Sequence, residues 1–537
     1  MSGSLALILH AHLPFVRHPE HEHFLEEEWL FEGITESYIP LLQMMERLVN
    51  QGVPFKMTMS ITPTLCAMLE DDLLRERYVR HLDLLVDLAE RERRRNRVHP
   101  RLCELAEFYL ALFSASRRFF VEEWKSDLLS AFRALQETGA LEIIASAATH
   151  TILPLQPRQS QRAQVLIGRD IFAELFGAEP DGFWLPECAY ASGVESILQE
   201  ANIRWFVLDS HGLLFGKPGP QRSIFAPCYT PAGPAAFARD RASSGQVWSA
   251  QGGYPGDPAY REFHRDIGFD IPMEHLGQAG PGLRKFSGIK YHRVTGGRHD
   301  KELYDRVAAE RVADVQASHF LEQHRRQFDQ ASRPGFEPVI VAPFDAELFG
   351  HWWFEGPMFL ERFIRQVAGG RTFTLTTPSE YLASHPTEQT IQPATSTWGE
   401  KGYLEVWLNE KNAWIYPHLH AAAQEMTEQA GRFSGIIGQP LPVTASASRG
   451  GAPAPQFADR VLQQLARELL LAQASDWAFL IKTGTAHEYA TKRTLDHLDR
   501  FNRLRQLLGA GNNDEEFLRE CEERDNLFPN LNWRYFT

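Results

Sequence analysis

Val339-Ile-Val-Ala-Pro-Phe-Asp345-Ala-Glu-Leu-Phe-Gly-His-Trp-Trp353 runs from an unbroken apolar segment into a carboxylate and then into rings. A continuous apolar run, unlike an alternating one, predicts a strand buried on both faces, as in a parallel sheet. An acid at the end of such a strand, among aromatics, is placed for chemistry rather than solubility. Gly182-Phe-Trp-Leu-Pro-Glu187-Cys-Ala-Tyr190 repeats the pattern with Glu187. Two such acids can cleave a glycosidic bond, one attacking the sugar carbon and the other protonating the leaving oxygen. Nearby tryptophans offer faces for sugar rings.

Working outward, apolar runs recur at Leu5–Leu9, Phe55–Ile61, Ile143–Ala148, Gly182–Leu185, Trp205–Leu208, Val339–Ala342 and Phe373–Leu375, separated by helix-patterned stretches. Strand–helix alternation predicts an α/β fold with a parallel sheet. The runs are followed by polar residues: His10 and His12, His150, Glu187, Asp209 and His211, Asp345, then Thr377 and Ser379. In α/β barrels catalytic groups collect at the carboxyl ends of strands, because those loops share one mouth. Seven runs predict a seven-stranded, imperfectly closed barrel over residues 1–390. Within it, residues of about 70–125 read as a helical insertion whose charge run Glu90–Arg97 is a solvated face. Residues of about 214–262, rich in Gly, Pro, Ser and Ala, read as a flap loop over the mouth. In residues 391–537, Val461, Leu462, Leu465, Leu469 and then Leu498, Phe501, Leu504, Leu508 recur at helical spacing, predicting a helical domain. The Pro440–Pro455 stretch reads as disordered.

The chain has 537 residues, 43% hydrophobic and 23% charged, enough for two or three domains. A net charge of −14 argues against nucleic acid or an anionic membrane as partner and leaves a neutral polymer open. The five cysteines are scattered, without metal-site spacing, and argue against a disulfide framework. No signal peptide or membrane span is read, so the cytoplasm is expected. Cys188 reads as a small buried thiol rather than a nucleophile, since no activating base stands beside it.

His10 and His12 lie two apart on a strand and face one side. They could ligate a metal with His150, His211 or Asp209 as a third ligand, or hydrogen-bond sugar hydroxyls; sugar binding is the preferred reading, because paired carboxylates need no metal. Asp209-Ser-His211 is no catalytic triad, since neighbours on a strand end lack that geometry. Trp29, Trp248, Trp352, Trp353, Trp398 and Trp407 are candidate platforms, each with core packing as the plain alternative. Asp476 is a candidate polar contact from the helical region. Sequence alone leaves open which of Glu187 and Asp345 attacks.

The ordered motifs His10-Ala-His-Leu-Pro14, Gly182–Glu187, Trp205-Phe-Val-Leu-Asp-Ser-His211, Ala342–Trp353 and Trp477–Thr485 resemble those of glycoside hydrolase family 57, in particular its 1,4-α-glucan branching enzymes. The resemblance spans nearly the whole chain. It implies a distorted seven-stranded (β/α)7 barrel whose cleft is lined by an all-helical C-terminal domain. It implies Glu187 as nucleophile, Asp345 as acid/base, a retaining mechanism and no metal or other cofactor. Trp398 and Trp407 match a pair of cleft tryptophans. Arg265 and Phe269 lie where such enzymes often carry a tryptophan, Tyr229 lies in the flap, and His351 falls in the Asp345 motif; all are expected substrate contacts. The expected function is α-1,4 cleavage with transfer to a glucan 6-hydroxyl, in glycogen-type synthesis, with an α-glucan polymer as partner. An α-amylase-type hydrolase or 4-α-glucanotransferase shares the chemistry. A metal-dependent polysaccharide deacetylase and a non-catalytic glucan-binding protein are the readings from other classes.

Overall fold

A computed structural model describes residues 3–249, 252–276, 284–296, 300–370, 372–386, 389–435, 455–509 and 513–537. The described strands are β1 (Ser4–Ala11), β2 (Met57–Ile61), β3 (Leu141–Ser146), β4 (Gly182–Trp184), β5 (Trp205–Leu208), β6 (Cys228–Tyr229), β7 (Ala235–Ala238), β8 (Val339–Asp345) and β9 (Thr374–Leu375). Parallel pairing gives the order β7-β5-β4-β3-β2-β1-β8. The sheet curls until a single parallel bridge, Arg239 to Val341, joins β7 back to β8. Seven parallel strands therefore ring the interior, and one thin seam makes the closure imperfect.

The count of seven is as expected, but one member differs. Phe373–Leu375 was expected in the ring; β9 instead pairs with only Ser4 and Leu5 of β1. The other edge of β1 is taken along Ser4–His10 by β8, so β9 shares the β2 edge and stands outside the circuit. The missing strand is β7, inside the segment expected to be a flap loop. Ala235-Ala-Phe-Ala238 is fully buried and pairs with β5 along its whole length. Three alanines carry little strand signal in sequence, but their small side chains fit beside Trp205 and Phe206. A helix, Arg241–Trp248, follows at once, capped by the Asp240 carboxylate accepting from Ser243 N–H at 2.7 Å.

Alternation along the strands sorts the barrel into layers. Ala6, Ile8, Ile144, Trp184, Trp205, Val207, Ala235, Phe237, Val339 and Val341 form one buried cluster, the apolar plug inside the ring. Leu5, Leu7 and Leu9 face outward into the core shared with the helices. Continuing the period of two upward, the next inward positions are His10 on β1, Asp209 after β5, Arg239 after β7 and Asp345 on β8. The plug thus ends in a polar layer at the carboxyl face.

Helices Asp72–Arg95 and Pro100–Arg118 occupy the predicted insertion. Arginines 93–95 at the end of the first complement its dipole. The charge run is not solvated throughout: Glu92 is buried and accepts from Arg95, Asn96 and Tyr291 Oη. Beyond residue 391 the described helices are Ile415–Ser434, Pro455–Ala472, Ser475–Thr483, His487–Gln506 and Glu515–Arg524, apart from short 3-10 turns. The leucines and phenylalanine read at helical spacing are buried between them. This region presses on the barrel mouth: Thr149 Oγ1 donates to Leu470 O at 2.5 Å and Ser475 N to His150 O at 3.3 Å. Residues 440–454 of the expected disordered stretch lie outside the described residues. No described helix is long and apolar enough to cross a membrane.

Candidate active site

β4 is only three residues long, and Pro186, which has no N–H to donate, follows it closely. Glu187 then takes a left-handed conformation (φ 60°, ψ 23°), and Cys188 does too (φ 50°). Such backbone is disfavoured for residues with side chains and persists where surroundings enforce it. Here Trp398 clamps Glu187 twice. Its backbone N–H donates to Glu187 O at 3.0 Å, and its indole Nε1–H to Glu187 Oε2 at 2.5 Å. Trp398 in turn stands edge-on to Trp184 and lies under the Arg239 guanidinium, 5.2 Å from the ring centre. Arg239 also donates to Asp209 Oδ2 at 3.3 Å.

Burial pushes the Glu187 carboxyl up to about 8; the indole N–H opposes the rise, and the negative charges of Asp345 and Asp476 add to it. Burial lifts Asp345 to about 6, held there by the positive Arg239 and by His12. The charge of Asp345, on β8, thus reaches Glu187, just after β4, across the mouth. A third buried carboxyl, Glu347, is pushed by burial up to about 8; it accepts from His12 N–H at 3.1 Å and Tyr38 Oη–H at 2.5 Å.

The three expected histidines meet in one stack. His12 and His150 rings are 3.8 Å apart, and His10 packs on Trp184 at 4.8 Å. All six ring nitrogens have protein partners. His10 bonds Ser60 and, at 2.9 Å, His150 Nε2; His150 bonds Ser475 Oγ; His12 bonds Thr62 and, at 3.1 Å, both oxygens of Asp476. Burial, reinforced by the neighbouring rings, pushes His10 and His150 well below the usual histidine range, so both are neutral. In this arrangement none of the three rings offers an unpaired nitrogen to a sugar hydroxyl or a metal ion. Among the described residues, the one set of three possible metal ligands close together is Glu468, His497 and Asp525 in the helical region. Arg500 bonds both carboxylates at 3.1 Å, which balances the charge a cation would otherwise meet.

Asp209 is buried and holds His211 Nδ1 at 2.8 Å, while Ser210 Oγ donates to Asp209 rather than to the imidazole, so no triad forms. Four further expected contacts have partners of their own within the protein. Trp29 packs edge-on to Tyr489, Arg265 pairs with Asp270, Phe269 is open against Phe286, and His351 bonds Glu36 at 2.6 Å. Two expectations are corrected. Tyr229 pairs with Ala235, which pairs with Trp205, the first residue of β5; this puts Tyr229 at the amino end of the barrel, opposite the mouth. Trp407 is 1% exposed, with Gly399 packed on its ring, and supports the Trp398 loop without offering a face. Trp353 is likewise buried, whereas Trp248 and Trp352 form an open pair, centroids 5.5 Å apart. Cys188 is buried and pushed far up by that burial, an inert thiol; all five cysteines are free. Sequence reasoning missed Arg239, Glu347, Tyr38 and Ser475.

Comparison with known proteins fits this geometry. Residues 6–394 match the model of glycosyl hydrolase family 57, and residues 443–536 match that of the 1,4-alpha-glucan branching enzyme C-terminal region. A 1,4-alpha-glucan branching enzyme of Thermococcus kodakarensis is 34% identical over 98% of this chain and 78% of its own. Among solved structures, an alpha-amylase, AmyC, of Thermotoga maritima superposes with TM-score 0.90 at 42% identity, covering 100% of this chain and 99% of that one. A family 57 branching enzyme of Pyrococcus horikoshii gives 0.87 at 34% identity, covering 100% and 97%.

Proposed function

The chain belongs to glycosyl hydrolase family 57, and from that premise we propose that it is a 1,4-α-glucan branching enzyme working by retaining double displacement. Glu187 attacks the anomeric carbon of an α-1,4 bond, and Asp345 gives its proton to the departing glycosidic oxygen. The covalent glycosyl-enzyme is then opened by the 6-hydroxyl of an acceptor glucan, whose proton returns to Asp345. The observation that carries the reading is the pair itself: two buried carboxyls at one mouth, the charge of Asp345 acting on Glu187, and Glu187 gripped by the Trp398 indole.

Attack requires Glu187 ionised and Asp345 protonated. Without a sugar between them the order is reversed, since burial lifts Glu187 to about 8 and Asp345 only to about 6. A pyranose between them changes the balance. Positive charge developing at the anomeric carbon favours the Glu187 carboxylate, and the leaving oxygen favours a protonated Asp345. The reaction thus draws on the minor protonation arrangement of the free pair.

On this reading residues 1–390 are the catalytic unit and 391–537 a helical wall that supplies Asp476 to the mouth. The substrate is an amylose- or glycogen-like polymer, handled in the cytoplasm. Branching is preferred because the C-terminal match is to branching enzymes. The similarity to an α-amylase keeps hydrolysis as a second reading. Incubating the protein with amylose, debranching the product and sizing the released chains separates them. New short chains are expected; reducing ends alone would indicate an amylase, and redistributed α-1,4 chains alone a 4-α-glucanotransferase.

A further inference from the structure

We propose that Phe215 and Tyr403 form an aromatic ledge that carries the α-1,4-glucan chain beyond the catalytic pair and selects the length of chain transferred; the proposal rests on the branching reading above. Phe215 is 65% exposed and Tyr403 45%. Both stand edge-on to one ring, His211, with centroids 6.5 and 5.4 Å away. Leu214 and Leu408 are also open. Isolated exposed apolar residues need no explanation, but here two open rings share one anchored neighbour beside the cleft.

The ledge is held firmly. His211 Nε2–H donates to Gly402 O at 2.8 Å, and Thr397 N–H donates to the same carbonyl at 2.9 Å. Thr397 Oγ1–H donates to Tyr403 O at 2.5 Å. Two glycines allow the close approach. A Cβ on Gly402 (φ +84°) would stand 2.8 Å from His211 Cε1, and one on Gly212 would stand 2.3 Å from Ser396 Oγ. Lys401, just before, takes a left-handed φ of 63° that its side chain disfavours. The clamp therefore fixes Tyr403 against the end of β5 while leaving its ring open.

Continuity with the active site identifies the occupant. Thr397 immediately precedes Trp398, whose indole holds the Glu187 carboxylate. A connected line runs from Glu187 to the Trp398 indole, through Thr397, which holds Tyr403 O, to the His211 ring flanked by Tyr403 and Phe215. The exposed charges beside it, Glu400 and Lys401, cancel and offer hydrogen bonds. A neutral chain with apolar pyranose faces and a hydroxyl rim fits such a track.

The test uses the full chain with Phe215→Ala, Tyr403→Ala, the double variant and Tyr403→Trp. Each is assayed on amylose and on maltoheptaose, the products debranched and sized, and folding and association checked by thermal unfolding and sedimentation. The double variant is expected to lower the ratio of kcat/KM on amylose to that on maltoheptaose about tenfold and to shorten the transferred chains. Tyr403→Trp should keep both near wild type. If the alanine variants unfold, Phe215→Gln and Tyr403→Gln, which keep bulk without a ring, take their place with the same expected result. A branching wild type whose variants keep both readouts overturns the ledge. So does a variant that changes only self-association, which would make the patch a contact between copies. A wild type that forms no α-1,6 bonds sinks the branching reading instead, and the amylose-to-maltoheptaose ratio still reports on the ledge.

Discussion

The two ends of the barrel differ in how much buried charge they gather. At the amino ends of the strands lies a cavity of about 790 Å³ lined by Val49, Pro54, Phe55, Lys56, Phe373 and Thr374, among others. At the carboxyl ends three carboxyls, Glu187, Asp345 and Glu347, are buried and pushed up by that burial. Volume alone would direct attention to the first. Clustered desolvated charge directs it to the second: burial also pushes Glu142, near the start of β3, up to about 7, but that carboxyl is a single one held by Thr58 and Ser379, whereas three meet at the mouth. The difference teaches that a cluster of unfavourably buried carboxyls, more than the presence of a cavity, marks the candidate site.

The contrast breaks first at Glu187. Glu187→Gln keeps an oxygen for the Trp398 indole and removes the charge proposed to attack. Branching of amylose is expected to fall at least about 10³-fold, the scale seen when a reacting group is lost from a working set. Turnover near that of wild type would remove Glu187 as nucleophile and with it the distinction between the two ends.

A smaller effect sharpens the comparison through pH. With one proton needed on the pair, kcat/KM should be bell-shaped, with limbs near pH 6 and 8 that belong to the pair jointly. Below the lower limb both carboxyls hold protons and none attacks; above the upper limb neither can protonate the leaving oxygen. Trp398→Phe removes the indole N–H that stabilises the Glu187 carboxylate. Losing it makes that carboxyl hold its proton more tightly, so the upper limb should move to higher pH. The rate should fall about 10- to 100-fold, the worth of one hydrogen bond to a charge. An upper limb that stays or moves down would show that the indole does not tune Glu187.

The same contrast explains what sequence could and could not disclose. Runs such as Leu5–Leu9 and Val339–Ala342 are legible because strands buried on both faces must be apolar throughout. His10, His12, His150, Glu187 and Asp345 stand at the mouth from their places at strand ends, and Asp476 reaches it from the helical region. β7 was not legible: Ala-Ala-Phe-Ala lacks β-branched residues and sits among prolines and glycines. With β7 unread, Arg239 had no inward column to belong to, although the same period of two that exposes Asp209 would have found it. Tyr229 and Trp407 failed for another reason. Residue type and spacing name a ring but not which end of a barrel it faces, nor whether Gly399 will pack on top of it. Glu347 was in view within its motif, but its importance lies in contacts with Tyr38 and His12 from other elements.

The smallest expected effect is at the amino end, and it tests the contrast from the other side. Lys56 lines that cavity, donates to Gly139 O at 2.7 Å and pairs with Glu380. Both charged side chains are substantially open to water, so screening leaves the pair little energy. Lys56→Met should change stability by no more than about 1 kcal/mol and leave the branching rate within about twofold, the size of ordinary surface substitutions. The ion pair and carbonyl contact tie the start of β2 to neighbouring segments. A tenfold fall in branching with an unchanged melting curve would mean that the amino-end cavity takes part in handling the glucan. The division between an inert end and a reactive end would then be wrong.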